Sequence, residues 1–271
     1  MKRIDSPANP RYKALRRLAT SSQERRKTGL SMLDGTHLVA AYRQHAGLPE
    51  QLVVSRSGLE DPETREIVED MRGGEIVVLG DALFGNLSSV ATPTSIMAVV
   101  RTPIPQLIPQ EMDACVMLED LQDPGNLGSI LRTCAAAGIQ HVLLSAGSAH
   151  AWSPRVLRAG MGAHFALAIY EQASLETAAK AFRGRLIATR QDASQSVFAA
   201  DLKGSLAFLF GNEGAGLSPG LLGSADAVVS IPMPGRAESL NVAAAASVCL
   251  FERVRQLSAV RGRGQSGPGG S

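Results

Sequence analysis

Leu209–Ser218 (LFGNEGAGLS) and Ile231–Ser247 (IPMPGRAESLNVAAAAS) decide the reading of this chain. Each leaves an apolar, strand-like run: the first for a glycine turn, the second for a proline-stiffened loop and an alanine-rich helix. Gly211, Gly214 and Gly216 place no Cβ between the backbone and a ligand. Pro232 and Pro234 fix two φ angles around Met233, so Ile231–Gly235 is held stiff. Ser239 stands where a helix N-cap belongs, ahead of a run of strong helix formers. Two rigid loops ending neighbouring strands make a cofactor crevice. Walker A and Rossmann cradles are excluded, because no Lys-Ser/Thr pair follows the glycines and their spacing is not G-x-G-x-x-G. By residue type alone, a pair of tight turns with no ligand fits as well.

A third segment, Glu119–Gly138 (EDLQDPGNLGSILRTCAAAG), separates the two readings. It follows the apolar run Cys115–Leu118. Leu127, Ile130, Leu131, Cys134 and Ala135 form the stripe of a core-facing helix, with Asn126 as its expected N-cap and Gly138 as its stop. Arg132 lies about 140° from Leu127 at 100° per residue, off the buried stripe. Most helical arginines are simply solvated; here Asn126 and Arg132 flank the mouth of the same βα unit.

In this order the three segments resemble the three motifs of the SPOUT superfamily, in its TrmH (SpoU) branch of RNA 2′-O-ribose methyltransferases. Motif one corresponds to Asp123–Gly128 running to Arg132, motif two to Phe210–Leu217, and motif three to Ile231–Met233 through Ser239–Asn241. The resemblance covers about residues 113–258. Ser153–His164 (SPRVLRAGMGAH) resembles the family's middle segment, with Gly160 where a serine is commoner. DGTHLVAA, at Asp34–Ala41, resembles the L30e-like substrate-binding module often attached to this branch.

Composition is consistent with that class. The chain has 271 residues, enough for two domains. Cys115, Cys134 and Cys249 form no C-x-x-C and sit in apolar patterns, as buried thiols in a reducing compartment do, so a cytoplasmic protein is expected. Histidines 37, 45, 141, 150 and 164 lack zinc-ligand spacing, and no apolar run reaches membrane-spanning length; neither a metal nor a membrane is expected. The first 30 residues carry nine basic side chains against Asp5 and Glu24, a local +7 in a chain of net +2. Residues 50–81 lean acidic, so the asymmetry points to one face for polyanions. A solvated basic helix without a partner is the alternative.

The expected organisation is α/β throughout. Residues 1–101 form a small domain with helices at 11–28, 34–46, 63–71 and 82–87 and strands at 52–54, 76–79 and 96–100. Residues 102–112 form a proline-rich linker. Residues 113–258 alternate strands (115–119, 141–145, 186–189, 206–210, 227–231) with helices, including Ser174–Phe182, which calls for a parallel sheet covered on both faces. Residues 259–271 (AVRGRGQSGPGGS) are expected to be disordered. The resemblance adds a deep C-terminal trefoil knot, a homodimer, S-adenosylmethionine as cofactor, and structured RNA as substrate, ribosomal or alternatively transfer RNA.

Methyl transfer to a ribose hydroxyl needs a held nucleophile and an outlet for its proton. The expected cofactor-binding residues are Thr189, Leu209, Gly211, Asn212, Gly216, Ile231, Met233 and Leu240. The expected catalytic residues are Asn126, Arg132, Glu213, Ser239 and Asn241. The resemblance puts Arg132 at the 2′-hydroxyl. An arginine is always protonated, so it is read as a bidentate clamp on the adjoining phosphate rather than as a base. Asn126 is expected to orient Arg132 or the ribose, and Glu213 to hold Arg132 or Asn241. Arg11, Lys13, Arg16, Arg17 and His37 are expected to meet RNA. Two rivals stay open: methylation of a base nitrogen, and an RNA-binding protein with a vestigial methylation site.

Overall fold

Lys2–Ile4 (β1) opens the chain as an edge strand, followed by α1 (Pro10–Thr20), α2 (Ser22–Thr28), β2 (Leu30–Asp34) and α3 (Thr36–Ala46). Next come β3 (Gln51–Ser55), α4 (Pro62–Asp70), β4 (Glu75–Leu79), α5 (Asp81–Gly85) and β5 (Ile96–Arg101). The computed structural model describes residues 1–71, 74–88 and 94–264. These first strands form one sheet in the order β1-β4-β3-β5-β2, with β5 antiparallel to both its neighbours. Tyr12, Leu15 and Leu18 of α1 pack on Met32, Val53 and Val77. The expected single helix over 11–28 is two, because Ser21 turns to φ −114°, ψ 117° and caps α2 by accepting from the Glu24 N–H. β1 and β2 were not expected: β1 lies within the basic stretch, and β2 is a short run beside the helix start.

The second unit begins with β6 (Ala114–Leu118), α6 (Pro124–Ala136) and β7 (His141–Leu144). The chain then passes through α7 (Pro154–Gly160) before β8 (Ala168–Tyr170), α8 (Leu175–Ala181), β9 (Arg185–Thr189) and β10 (Gln195–Ser196). It ends with β11 (Leu206–Phe210), α9 (Pro219–Gly223), β12 (Ala227–Ser230) and α10 (Val242–Gly264). Seven strands pair in the order β10-β12-β9-β11-β6-β7-β8, all parallel. Cys115 and Met117 of β6 meet Leu175, Ala179 and Phe182 in one core. Leu127, Ile130, Leu131 and Cys134 of α6 are fully buried, each aliphatic side chain contributing roughly 1.5–3 kcal/mol. α10 lies against α6, where the Thr133 and Ser247 hydroxyls meet at 3.1 Å and Ala246 is fully buried. Ala243 and Ala246 of the alanine run are buried within the chain's own packing.

Two boundaries differ from expectation. Residues 150–166 group with residues 1–104, and the second unit comprises 105–149 and 167–271. Within the first unit the buried Arg25 guanidinium donates to His150 Nδ1 at 3.3 Å, and the Phe165 and Tyr42 rings meet edge to face at 5.4 Å. Helix α10 continues to Gly264, past the expected start of a disordered tail at 259, because extending a formed helix adds a hydrogen bond per residue without a new nucleus. Residues 265–271 lie outside the described residues. Among the described residues no helix is long and apolar enough to cross a membrane.

Candidate active site

At the C-terminal edge of the parallel sheet, β11 runs into a turn that Asn212 frames. Its backbone exchanges two hydrogen bonds with Gly216, at 3.0 and 2.9 Å. Its Oδ1 accepts from the Gly214 and Ala215 N–H groups at 2.9 and 3.0 Å, and its Nδ2 donates to the Asp120 carbonyl at 2.8 Å. Each glycine has its own reason. A Cβ on Gly211 would stand 2.2 Å from the Gly216 carbonyl carbon, so this residue is needed for the turn's own closure. Gly216 has φ +70°, the left-handed region. Gly214 faces only ordinary contacts.

Residues 231–240 are built in the opposite way. Among the described residues, no hydrogen bond engages any backbone or side-chain group of this loop. Pro232 and Pro234 remove two donors and stiffen it, and the remaining N–H and C=O groups are open to water or ligand. The loop ends at Asn241, whose Oδ1 accepts from the Ala243 and Ala244 N–H groups at 2.9 and 3.4 Å. Asn241 is therefore the cap of α10, not Ser239, which is exposed and unbonded. The cap of α6 is likewise Asp123, accepting from the Asn126 N–H at 2.7 Å, with Pro124 at the first helical position.

Freed from capping, the Asn126 side chain joins a polar chain. Asn241 Nδ2 donates to Asn126 Oδ1 at 2.8 Å, and Asn126 Nδ2 donates to Glu213 Oε1 at 3.0 Å. Three segments far apart in sequence, and three of the five expected catalytic residues, meet here. Glu213 thus holds Asn126, not Arg132 or Asn241 directly. Arg132 is exposed on α6 and, among the described residues, makes no hydrogen bond or ion pair that would orient it.

A cavity of about 1010 Å³ opens between the two loops. Its walls include Thr189, Gly211, Asn212, Gly216, Ile231, Met233 and Leu240, together with Glu213, Ser239 and Asn241. Leu209 is not among them: its side chain is fully buried in the core and its carbonyl accepts from Thr189 Oγ1 at 3.2 Å. Arg190, Gln191, Asp192 and Glu238 also line the cavity. The first three follow β9 at the same sheet edge, a position that parallel α/β sheets favour for ligands. Volume and lining suit a nucleoside-bearing cationic cofactor. Ile231, Met233 and Leu240 offer apolar surface, the 231–240 backbone offers unengaged hydrogen-bonding groups, and Asp192, Glu213 and Glu238 offer negative charge.

The thiols are unsuited to chemistry. Burial pushes Cys115 and Cys249 up to about 12, and raises Cys134 too, so none supplies a thiolate at neutral pH. Among the described residues, no cluster of three or more His, Cys, Asp or Glu is placed to hold a metal ion. The expected RNA-facing residues all lie in the first unit and are exposed there. Arg11 is bound to Glu75, and Arg17 stands 3.6 Å from Glu24, whereas Lys13, Arg16 and His37 have no side-chain partner among the described residues. Arg25, counted in the basic cluster, is buried.

Comparison with known proteins agrees with this architecture. Residues 113–251 match the SpoU rRNA Methylase family, and residues 9–98 match the MRM3-like substrate binding domain. The 23S rRNA (guanosine(2553)-2′-O)-methyltransferase RlmP of Bacillus subtilis (strain 168) is 32% identical over 254 residues, 93% of this chain and 98% of that protein. The crystal structure of an RNA 2′-O ribose methyltransferase, 31% identical, superposes with a TM-score of 0.81 over 94% of this chain and 99% of that one. The SpoU methyltransferase AviRb of Streptomyces viridochromogenes in complex with AdoMet (S-adenosylmethionine), 28% identical, gives 0.84 over 92% and 98%. The chain belongs to the SpoU rRNA methylase family.

Proposed function

We propose that this protein transfers a methyl group from S-adenosylmethionine to a ribose 2′-hydroxyl of structured RNA, ribosomal RNA being the primary substrate. One observation carries the reading: Glu213, Asn126 and Asn241 converge beside a 1010 Å³ cavity walled by a closed glycine turn and an unbonded proline loop. S-adenosylmethionine, when bound, supplies an electrophilic methyl group on a sulfonium. The chain's own part is to bind, orient and discharge. The backbone of 231–240 and Gly211–Gly216 recognises the nucleoside portion, and Thr189, Met233 and Leu240 enclose it.

Asn126, with its carboxamide fixed from both sides, presents a defined edge to the ribose. The Arg132 guanidinium, exposed and without a partner among the described residues, takes the adjoining phosphate in a planar fork. That places positive charge next to the hydroxyl and favours alkoxide character at the 2′-oxygen, while the phosphate accepts the proton. Ser239 and Asn241 complete the polar rim. Lys13, Arg16 and His37 of the first unit meet the RNA backbone, with Arg11 and Arg17 partly neutralised by their carboxylates.

The same reading includes a homodimer, a knotted second unit and a cytoplasmic site of action, the last in keeping with three buried free thiols. The test is direct: titrate the protein with S-adenosylmethionine by calorimetry, then map 2′-O-methyl positions in ribosomal and transfer RNA from cells with and without it. No heat on titration defeats the cofactor assignment. An unchanged 2′-O-methyl map, with a base methyl lost instead, transfers the reading to a base nitrogen.

A further inference from the structure

Just past β6 stand Glu119, which the site described above leaves without a role, and Asp120, whose carbonyl meets Asn212. Glu119 is partly buried, and both its carboxylate oxygens are taken by one residue at the exit of the glycine turn. Oε2 accepts from the Ser218 N–H and Oε1 from the Ser218 hydroxyl, each at 2.7 Å. The Glu119 N–H donates to the Phe210 carbonyl at 2.9 Å, so this residue is joined to the chain on both sides of the turn. Asp120 follows at φ +51°, a conformation that costs a non-glycine residue energy. Ser145 holds it there: the Asp120 N–H donates to Ser145 Oγ at 2.7 Å, and that hydroxyl donates to Asp120 Oδ1 at 2.6 Å. The strained turn brings the Asp120 carbonyl to Asn212 Nδ2. Consecutive residues thus grip the glycine turn at its entry and its exit.

The two cavity walls differ sharply. Residues 231–240 make no hydrogen bond among the described residues, so only the glycine wall has its geometry set by bonds to the rest of the chain. We propose that Glu119 is a positioning residue for the cofactor: its carboxylate clasp on Ser218 sets the placement of the 211–217 backbone and, through it, cofactor affinity. This rests on the cofactor reading of the cavity given above. A carboxylate suits the task because it accepts two charge-assisted hydrogen bonds at once.

The test uses the full chain and four variants: Glu119→Ala, Glu119→Gln, Ser218→Ala and the Glu119→Ala/Ser218→Ala double. Each is measured for S-adenosylmethionine Kd, for KM and kcat on ribosomal RNA from cells lacking the protein, and for hydrogen exchange of the Gly214, Ala215 and Gly216 amides without cofactor. Glu119→Ala is expected to raise cofactor Kd and KM about tenfold and to speed exchange of those amides, with the loss in KM rather than kcat. Glu119→Gln recovers most of the affinity, because its carbonyl still accepts from the N–H while its amide donates to the hydroxyl. The double variant is no worse than Glu119→Ala by more than about twofold, since both changes remove one clasp.

An unchanged Kd in Glu119→Ala, additive losses in the double, or a loss confined to kcat would overturn the proposal. Should Glu119→Ala not fold, Ser218→Ala and Glu119→Gln decide it: a parental Kd and parental exchange in Ser218→Ala overturn it. If the parent gives no heat with S-adenosylmethionine, the cofactor reading fails and takes the affinity role with it. Exchange in the same samples still separates that failure from the clasp, which unchanged rates in Glu119→Ala would refute.

Discussion

A single methyl group at position 211 is the smallest perturbation with a decided outcome. An ideal Cβ there stands 2.2 Å from the Gly216 carbonyl carbon, 2.3 Å from its oxygen and 2.4 Å from the Leu217 nitrogen. All three are backbone atoms, and unstrained carbon contacts begin near ~3.5 Å, so the turn must open by about 1 Å. Opening pulls apart the two Asn212–Gly216 backbone bonds and the two bonds that Gly214 and Ala215 donate to Asn212 Oδ1. At roughly 0.5–1.5 kcal/mol net per bond, loss of all four costs about 2–6 kcal/mol, and partial opening leaves Gly211→Ala near the lower half of that range, about 2–4 kcal/mol. That corresponds to a fall in melting temperature on the order of 10 °C. Gly216→Ala meets no atom within 4 Å but must hold φ +70°, at about 1–2 kcal/mol. Gly214→Ala meets only Asn212 Oδ1 at 3.5 Å and costs less than ~0.5 kcal/mol. Thermal melts of the three variants, each followed by calorimetry with S-adenosylmethionine, read the series. The expected order of damage is 211, then 216, then 214, with cofactor binding lost at 211. A Gly211→Ala protein that melts and titrates like the parent refutes the self-closure argument.

Arg132→Ala abolishes methyl transfer and leaves the melting temperature within error, because the side chain is exposed and has no partner among the described residues; Arg132→Lys is also badly impaired, and near-parental turnover would leave only a charge requirement. Removing residues 1–30 would take out Tyr12, Leu15 and Leu18 from the core, so RNA capture is better tested with Lys13→Ala/Arg16→Ala. That variant should weaken RNA binding and reduce the log–log salt slope by about 2, with cofactor Kd unchanged; a parental slope moves the RNA path elsewhere. Burial, helped by the neighbouring Arg25 and Arg26 guanidiniums, pushes His150 down to about 3, and burial pushes His164 down to about 4. Both pKa values fall below the unfolded value of about 6.5. The stability they contribute is therefore complete above that pH and is lost as the pH falls, until about 4 for His164 and about 3 for His150. Each adds a slope of ~1.4 kcal/mol per pH unit between pH 6 and 4. Denaturant melts across that range should show a shallower slope in His150→Gln and His164→Gln, and a parental slope in both would show that neither ring is held neutral.

What the sequence disclosed depended on how local the signal was. The apolar stripe of α6 and the strands ending at Leu118, Thr189 and Phe210 are written in neighbouring residues, and they were legible to within a residue or so. The caps were not. Asp123 and Asn126 are both competent N-caps, as are Ser239 and Asn241, so residue type alone could not say which one capped and which was released to the site. Pro124, one residue past the true cap of α6, was the signal that would have decided the first case. Leu209 was read for its backbone, and the structure adds what residue type does not show: its side chain is fully buried and its carbonyl is met by Thr189 Oγ1, 20 positions away. Glu119 read as the end of a strand, since its partner Ser218 lies 99 positions away. The membership of residues 150–166 in the first unit is equally non-local, carried by contacts such as Arg25 with His150 across 125 positions.

The split of the first unit across residues 1–104 and 150–166 sets the order in which the protein is born. Domains usually fold in order as they emerge from the ribosome, the N-terminal one first. Here the first unit is still missing Trp152, His164 and Phe165 when Ile104 is made, because residues 150–166 belong to it. At about 5–20 residues per second, synthesis of residues 105–166 takes roughly 3–12 s. For that interval Tyr42 waits for the Phe165 ring, and the Arg25 guanidinium for its imidazole partner. By then β6, α6 and β7 have already been made, so part of the second unit's chain is present before the first can close. The N-terminal unit of this chain is begun first and completed in the middle.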